Sequence, residues 1–134
     1  MDIEVEKLRK FEDNRGFLIE FLKGIELEKK QFGQIYIATL KPGFIRGNHY
    51  HEMKDEYFAI IQGKARLCLE DIKTRKRLEY LVDGDDTHIT RIRVGKGIAH
   101  VIKNVGSEPL VLTAYATEIY DNNHLDQKEY KVLT

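Results

Sequence analysis

Residues 43–63 read GFIRGNHYHEMKDEYFAIIQG, with a glycine at each end, His49 and His51 two apart, and Glu56 five further on. In an extended strand, residues i and i+2 project from the same face. His49 and His51 therefore stand side by side, with Tyr50 turned the other way. After a turn at Glu52–Asp55, Glu56 opens the apolar run Tyr57–Ile61, and a hairpin there returns its carboxylate toward the two rings. A third imidazole, His100, comes much later in Gly95-Lys96-Gly97-Ile98-Ala99-His100, with Asn104 four beyond it. Three imidazoles and one carboxylate suit a divalent transition metal with positions left open for water or substrate.

The surrounding sequence is a series of short β-rich runs separated by turn residues. Phe17–Phe21, Gln34–Leu40, Tyr57–Ile61, Lys64–Asp71, Leu78–Val82, Thr87–Val94, Val101–Lys103 and Leu110–Thr117 all read as strands. A helix is expected only around Gly24–Lys30. Many short strands at this spacing predict an all-β sandwich or small barrel, and such folds enclose a cavity when strand number and tilt leave room.

Length and charge bound the function. The chain has 134 residues, one domain's worth, with 22 basic and 22 acidic side chains. With no net charge, nothing draws it to nucleic acid or to an anionic membrane. No apolar run approaches the ~20 residues needed to span a bilayer. The opening MDIEVEKLRK has no apolar core of a signal peptide. Cys68 is the single cysteine, which reads as an unreactive strand residue in a reducing, cytoplasmic setting. Arg91 and Arg93 alternate on one strand and are expected on a solvated outer face. His88 and His124 are expected at the surface.

The motif G-x5-H-x-H-x4-E-x6-G, carried by Gly43, His49, His51, Glu56 and Gly63, resembles the first motif of the cupin superfamily. Gly95, Gly97, His100 and Asn104 resemble the second, P-x-G-x2-H-x3-N, with Gly95 in place of proline and Ile89 where an earlier glycine is expected. The resemblance implies a double-stranded β-helix, or jelly-roll barrel, usually a homodimer. It also implies zinc, iron, manganese or nickel held by His49, His51, Glu56 and His100, and no nucleotide cofactor. The expected layout is a single cupin domain over 1–134. It has an N-terminal strand or arm at 1–33, a barrel core at 34–120 and a tail at 121–134.

A second resemblance spans almost the whole chain. Asp13-Asn14-Arg15-Gly16-Phe17-Leu18-Ile19-Glu20, Arg46-Gly47-Asn48-His49 and Gly97-Ile98-Ala99-His100 are similar to segments of dTDP-4-dehydrorhamnose 3,5-epimerases. That family implies His49 as catalytic base and Tyr120 as acid. It implies Arg15 and Glu20 as nucleotide contacts, often supplied by the partner subunit, and Arg46 facing the diphosphate. Those epimerases usually carry Gln where His51 stands and bind no metal. In this respect the chain is closer to sugar-nucleotide 3,4-ketoisomerases, with R-G-x-H-x-H, and to the C-terminal cupin of capsular-polysaccharide bifunctional enzymes, which carries a metal.

The implied activity is proton abstraction beside the ketone of a nucleotide-linked 4-keto sugar, in surface-polysaccharide synthesis. A metal-dependent oxygenase and a non-catalytic sugar-binding cupin are the alternatives. Imidazole suits the base because its pKa lies near neutral pH. A His whose lone pair binds metal cannot also accept the substrate proton. Either His49 is the base in a metal-free site, or the site is metallated and Tyr57, Tyr115 or Tyr120 substitutes.

Overall fold

A computed structural model describes residues 1–27, 32–118 and 126–133. Its strands are β1 (Ile3–Arg9), β2 (Phe11–Asp13), β3 (Gly16–Leu18), β4 (Gln34–Leu40), β5 (Ile45–His51) and β6 (Glu56–Gln62). They continue with β7 (Lys64–Asp71), β8 (Arg77–Asp83), β9 (His88–Val94), β10 (Ile98–Asn104), β11 (Leu110–Ala116) and β12 (Gln127–Glu129). Two five-stranded sheets face each other, ordered β1-β9-β6-β11-β4 and β12-β5-β10-β7-β8. Every pairing in them is antiparallel. From β4 to β12 every connection except β7–β8 crosses between the sheets, which makes the sandwich a jelly roll.

The helix expected around Gly24–Lys30 is a single 3-10 turn over Gly24–Glu26, and residues 28–30 lie outside the described residues. A β-branched Ile25, 86% exposed, gives such a turn no buried face to lengthen against. The strand expected over Phe17–Phe21 ends at Leu18, opposite Phe11, where its hairpin partner β2 begins. Both chain ends contribute strands to the two sheets: β1 lies at the edge of the first beside β9, and β12 at the edge of the second beside β5.

Alternation along the strands explains what fills the barrel. On β6 the inward positions are Glu56, Phe58 and Ile60, and on β10 they are Ile98, His100 and Ile102. Phe58, Ile60, Leu69, Ile92, Leu110 and Leu112 form the apolar core between the sheets. One end of the interior is thus hydrocarbon, and the other is lined by imidazole and carboxylate. Tyr57, Phe58, Ala59 and Ile60 are all buried, as an apolar run without alternation implies for a strand covered on both faces.

The outer face of the first sheet differs from the solvated surface expected for Arg91 and Arg93. Cross-strand register sets Glu4 opposite Arg93 and Glu6 opposite Arg91. Arg91 also donates to Glu26 at 3.0 Å and to the Phe21 carbonyl, and it lies 5.4 Å above the Tyr57 ring. Arg93 pairs with Asp2, Glu4 and Asp55. Both guanidiniums are covered because β1 and the 3-10 turn supply acidic partners, a long-range match that the arginine strand does not announce.

On the second sheet, Cys68, Ala99 and Val101 pack under Val132 and against Tyr50, Tyr130 and Leu133. The C-terminal segment is therefore a lid on that sheet's outer face. Burial raises the Cys68 thiol pKa, in keeping with an unreactive strand cysteine.

Candidate active site

The site begins with an irregularity in β5. His49 pairs with His100, but Gly47 pairs with Val101, so Asn48 is an extra residue bulged out of the ladder. Gly47 has φ +115° and Asn48 φ 60°. A Cβ on Gly47 would sit 2.5 Å from the His100 carbonyl oxygen and 2.8 Å from the Val101 Cα. No side chain fits there, which is the physical content of the Gly in Arg46-Gly47-Asn48-His49. Asn48 is used as well: its Oδ1 accepts from the Val132 and Leu133 amides, and its Nδ2 donates to the Leu133 carbonyl.

Beyond the bulge, His49 and His51 project into the barrel beside His100, with ring centroids 4.7 to 5.8 Å apart. The metal-competent atoms of His49, His51, Glu56 and His100 all lie within 4.8 Å of one another. The structure thus brings together the four side chains that the sequence singles out. His51, Glu56 and His100 are each no more than 5% exposed, and His49 is half-buried. Tyr50 points away, packing on Tyr130.

The hydrogen bonds fix two of the rings. His51 Nδ1 meets the Asp126 carbonyl at 3.1 Å, and His100 Nδ1 meets the Ile98 carbonyl at 3.3 Å. A carbonyl only accepts, so each Nδ1 carries the proton and each Nε2 keeps its lone pair for the interior. His51 Nε2 lies 2.5 Å from Glu56 Oε1, yet it is a buried nitrogen without a geometrically sound hydrogen bond. The close pair needs a shared cation between its two atoms, a proton on Nε2 or a metal ion. The other carboxylate oxygen, Oε2, accepts from the Tyr36 hydroxyl at 2.7 Å.

Burial and the adjoining imidazoles of His100 and His51 lower the His49 pKa to about 4, and burial chiefly lowers that of His100. Both rings are neutral at pH 7, with lone pairs available. Burial alone would raise the Glu56 pKa. The His51 contact, the His100 ring and the Tyr36 hydroxyl outweigh it and hold the group as a carboxylate. Burial and the Glu56 charge raise the pKa of Tyr36, keeping it a phenol that donates.

These groups line a cavity of about 570 Å³, within the range of small-molecule sites. Arg46 lies on its wall, exposed, its Nε donating to the Thr39 carbonyl at 3.1 Å. Arg15 and Glu20 do not line the cavity. Arg15 pairs with Asp13 on the β2–β3 hairpin, and Glu20 pairs with Lys23. Tyr120 and His124 lie outside the described residues. Of the other tyrosines weighed, Tyr57 lies under Arg91, and Tyr115 accepts from the Gly33 amide; neither faces the cavity. The phenol among the described residues that does line it is Tyr36, which sequence reasoning missed. The alternation Gln34-Tyr36-Ala38, all three lining the cavity, was the available signal. Lys54 and Gln127 also line it and were missed. So was Asp126, whose carboxylate accepts from the Glu52 and Met53 amides.

Two facing antiparallel sheets with a His-rich cavity between them define a cupin. The chain belongs to the polysaccharide biosynthesis C-terminal domain family, whose model matches residues 11–128. It is 32% identical over 130 residues to the spore coat polysaccharide biosynthesis protein SpsL of Bacillus subtilis, covering 94% of this chain and 85% of SpsL. Its fold superposes on the capsular polysaccharide assembling protein CapF of Staphylococcus aureus with a TM-score of 0.72 and 30% identity, over 93% of this chain. The chain spans 34% of CapF's length. The fold also matches the dTDP-6-deoxy-D-glucose-3,5-epimerase RmlC of Legionella pneumophila, solved with dTDP-4-keto-L-rhamnose. That TM-score is 0.81 at 16% identity, over 98% of this chain and 73% of that one. Among the described residues, no helix is long and apolar enough to cross a membrane.

Proposed function

We propose that this chain is a nucleotide-sugar epimerase or ketoisomerase of surface-polysaccharide synthesis, moving a proton at the carbon beside a 4-ketone. The observation that carries the reading is the meeting of His49, His51, Glu56 and His100 in one substrate-sized cavity. Its likeness to SpsL and CapF, both named for polysaccharide synthesis or assembly, supports the setting. Its fold is shared with an epimerase that binds a 4-keto sugar nucleotide.

His51, Glu56 and His100 fit a divalent ion. The buried His51 Nε2 opposite Glu56 Oε1, a pair that needs a shared cation, supports this reading. Three protein ligands with open positions is also the usual donor count of a catalytic site. When bound, such an ion supplies Lewis-acid polarisation of a ketone oxygen. His49 belongs to the same cluster, but among the described residues no backbone carbonyl orients its ring. We assign it the proton at the sugar carbon, taken up by its neutral imidazole. Tyr36 holds Oε2 of Glu56 and so orients that carboxylate. Arg46, at the cavity wall, suits the diphosphate, because guanidinium binds phosphate oxygens in pairs.

Arg15 and Glu20 enter this reading through a homodimer, in which the hairpin of one subunit reaches the cavity of its partner. The hairpin's exposed Phe11, Phe17 and Leu18 and the 87% exposed Arg15 side chain favour that arrangement. A role for Tyr120 as acid belongs to the same proposal. A cytoplasmic setting follows from the substrate class.

Incubation with a dTDP- or UDP-linked 4-keto sugar in deuterated water tests the activity. Deuterium entering the position beside the ketone, read by mass spectrometry, is the expected result. Oxygen uptake in place of exchange would instead favour the oxygenase reading, since two His and one carboxylate also suit iron(II). Glu56→Gln is expected to weaken metal retention about 10–100-fold or more, since even supporting residues have effects of that size. Chelator competition measures it, and unchanged retention would refute the ligand assignment.

A further inference from the structure

The turn between β5 and β6 inverts the usual placement of its side chains. Met53, apolar, is 66% exposed, while Lys54, charged, is 9% exposed and lines the cavity. The turn is held from both sides. Asp126 accepts from the Glu52 and Met53 amides, the Asp55 amide donates to Thr117 Oγ1, and the Thr117 amide donates to the Asp55 carbonyl. The orientation of Lys54 is therefore built in. Its ammonium has no hydrogen-bond or ion-pair partner among the described residues. It lines the same cavity as His49 and His100, and its side chain is far less exposed than that of Arg46. With its stem largely covered and its nitrogen unpaired, the cation is left to meet negative charge arriving in the cavity.

We propose that Lys54 is a further catalytic residue, the cation that receives the negative charge gathering on the substrate's ketone oxygen. This rests on the proton-transfer reading given above. In that step the C–H bond beside the ketone breaks, and the proton passes to His49. The electron pair forms the C=C bond of an enolate, whose oxygen carries the charge beside the Lys54 ammonium. Return of the proton to the same carbon, on either face, restores the ketone; its delivery to the former carbonyl carbon, with the adjacent hydroxyl's proton passing to the enolate oxygen, forms the ketone at the neighbouring carbon. No oxidant or reductant enters. A fixed cation aimed at developing charge contributes far more inside a dry cavity than in water.

The test compares Lys54→Met, which keeps the stem, Lys54→Gln and Lys54→Arg. The expected result is deuterium exchange slowed about 10²–10³-fold in Lys54→Met, the size of losing one oxyanion donor. KM should change less than kcat, with metal content and thermal midpoint retained and partial rescue by Lys54→Arg. Exchange in Lys54→Met within about threefold of the parent would overturn the proposal. If Lys54→Met fails to fold, Lys54→Gln takes its place. If the parent protein exchanges no 4-keto sugar, the proton-transfer reading falls, and titration with oxalate, a planar anion resembling an enediolate, decides the Lys54 site separately. Affinity lost about tenfold or more in Lys54→Met and kept in Lys54→Arg upholds an anion site there. Equal affinity in all variants overturns it.

Discussion

His49→Asn is expected to slow deuterium exchange at the sugar carbon by about 10²–10⁴-fold, the usual contribution of a positioned general base, while the bound metal is retained. The split between the two readouts follows from how the three rings are held. His51 and His100 each donate Nδ1–H to a backbone carbonyl and turn Nε2 inward, and the Glu56 carboxylate faces the first of them. Among the described residues His49 has no such anchor, and it is the half-exposed member of the cluster. Asparagine keeps a polar group of similar reach and leaves the other three donors in place. His51→Ala and His100→Ala should lose metal and exchange together. Loss of metal from His49→Asn to the same degree as from His51→Ala would make His49 a ligand and remove it as the base.

The second large effect is expected at Gly47. An alanine there has to adopt φ near +115°, outside the regions open to L-residues, and its Cβ meets backbone atoms of His100 and Val101. Backbone cannot swing aside as a flexible side chain can, so β5 and β10 must separate where His49 pairs with His100. A destabilisation of about 3 kcal/mol, or a fall in Tm of roughly 10 °C, is the expected result from thermal unfolding followed by circular dichroism. Metal affinity should fall with it, because the same displacement moves His100 relative to His51. A variant that kept both its Tm and its metal affinity would show that the bulge does not set the site. The neighbouring Asn48→Ala separates the two halves of the argument. It removes the hydrogen bonds to Val132 and Leu133 without adding a clash, so it should loosen the C-terminal segment and spare the β5–β10 pairing.

The parts of this site written in local spacing were legible from the chain. Strand alternation puts His49 and His51 on one face, and a short turn returns Glu56 to them. The glycine-rich approach to His100 marks the strand that brings the third ring. What escaped depends on register between distant strands. Tyr36 reaches Glu56 because β4 and β6 both flank β11, a fact that no short segment contains. Asp126 reaches His51 because Gln127–Glu129 pairs with β5. Arg91 and Arg93 read as surface residues because their partners are 38 to 91 positions away in sequence. The bulge was half visible: the Gly–Asn pair before His49 signals irregular backbone, but only the pairing with β10 shows that it resets which side chains face inward.

The docking of residues 126–133 bears on how the protein should be handled. Asp126 both orients an imidazole and clasps the turn that carries Lys54, while Tyr130 and Arg77 fasten the same stretch to β7. Proteolytic trimming back to residue 125 would strip these supports from the catalytic pocket without cutting either large sheet's central strands.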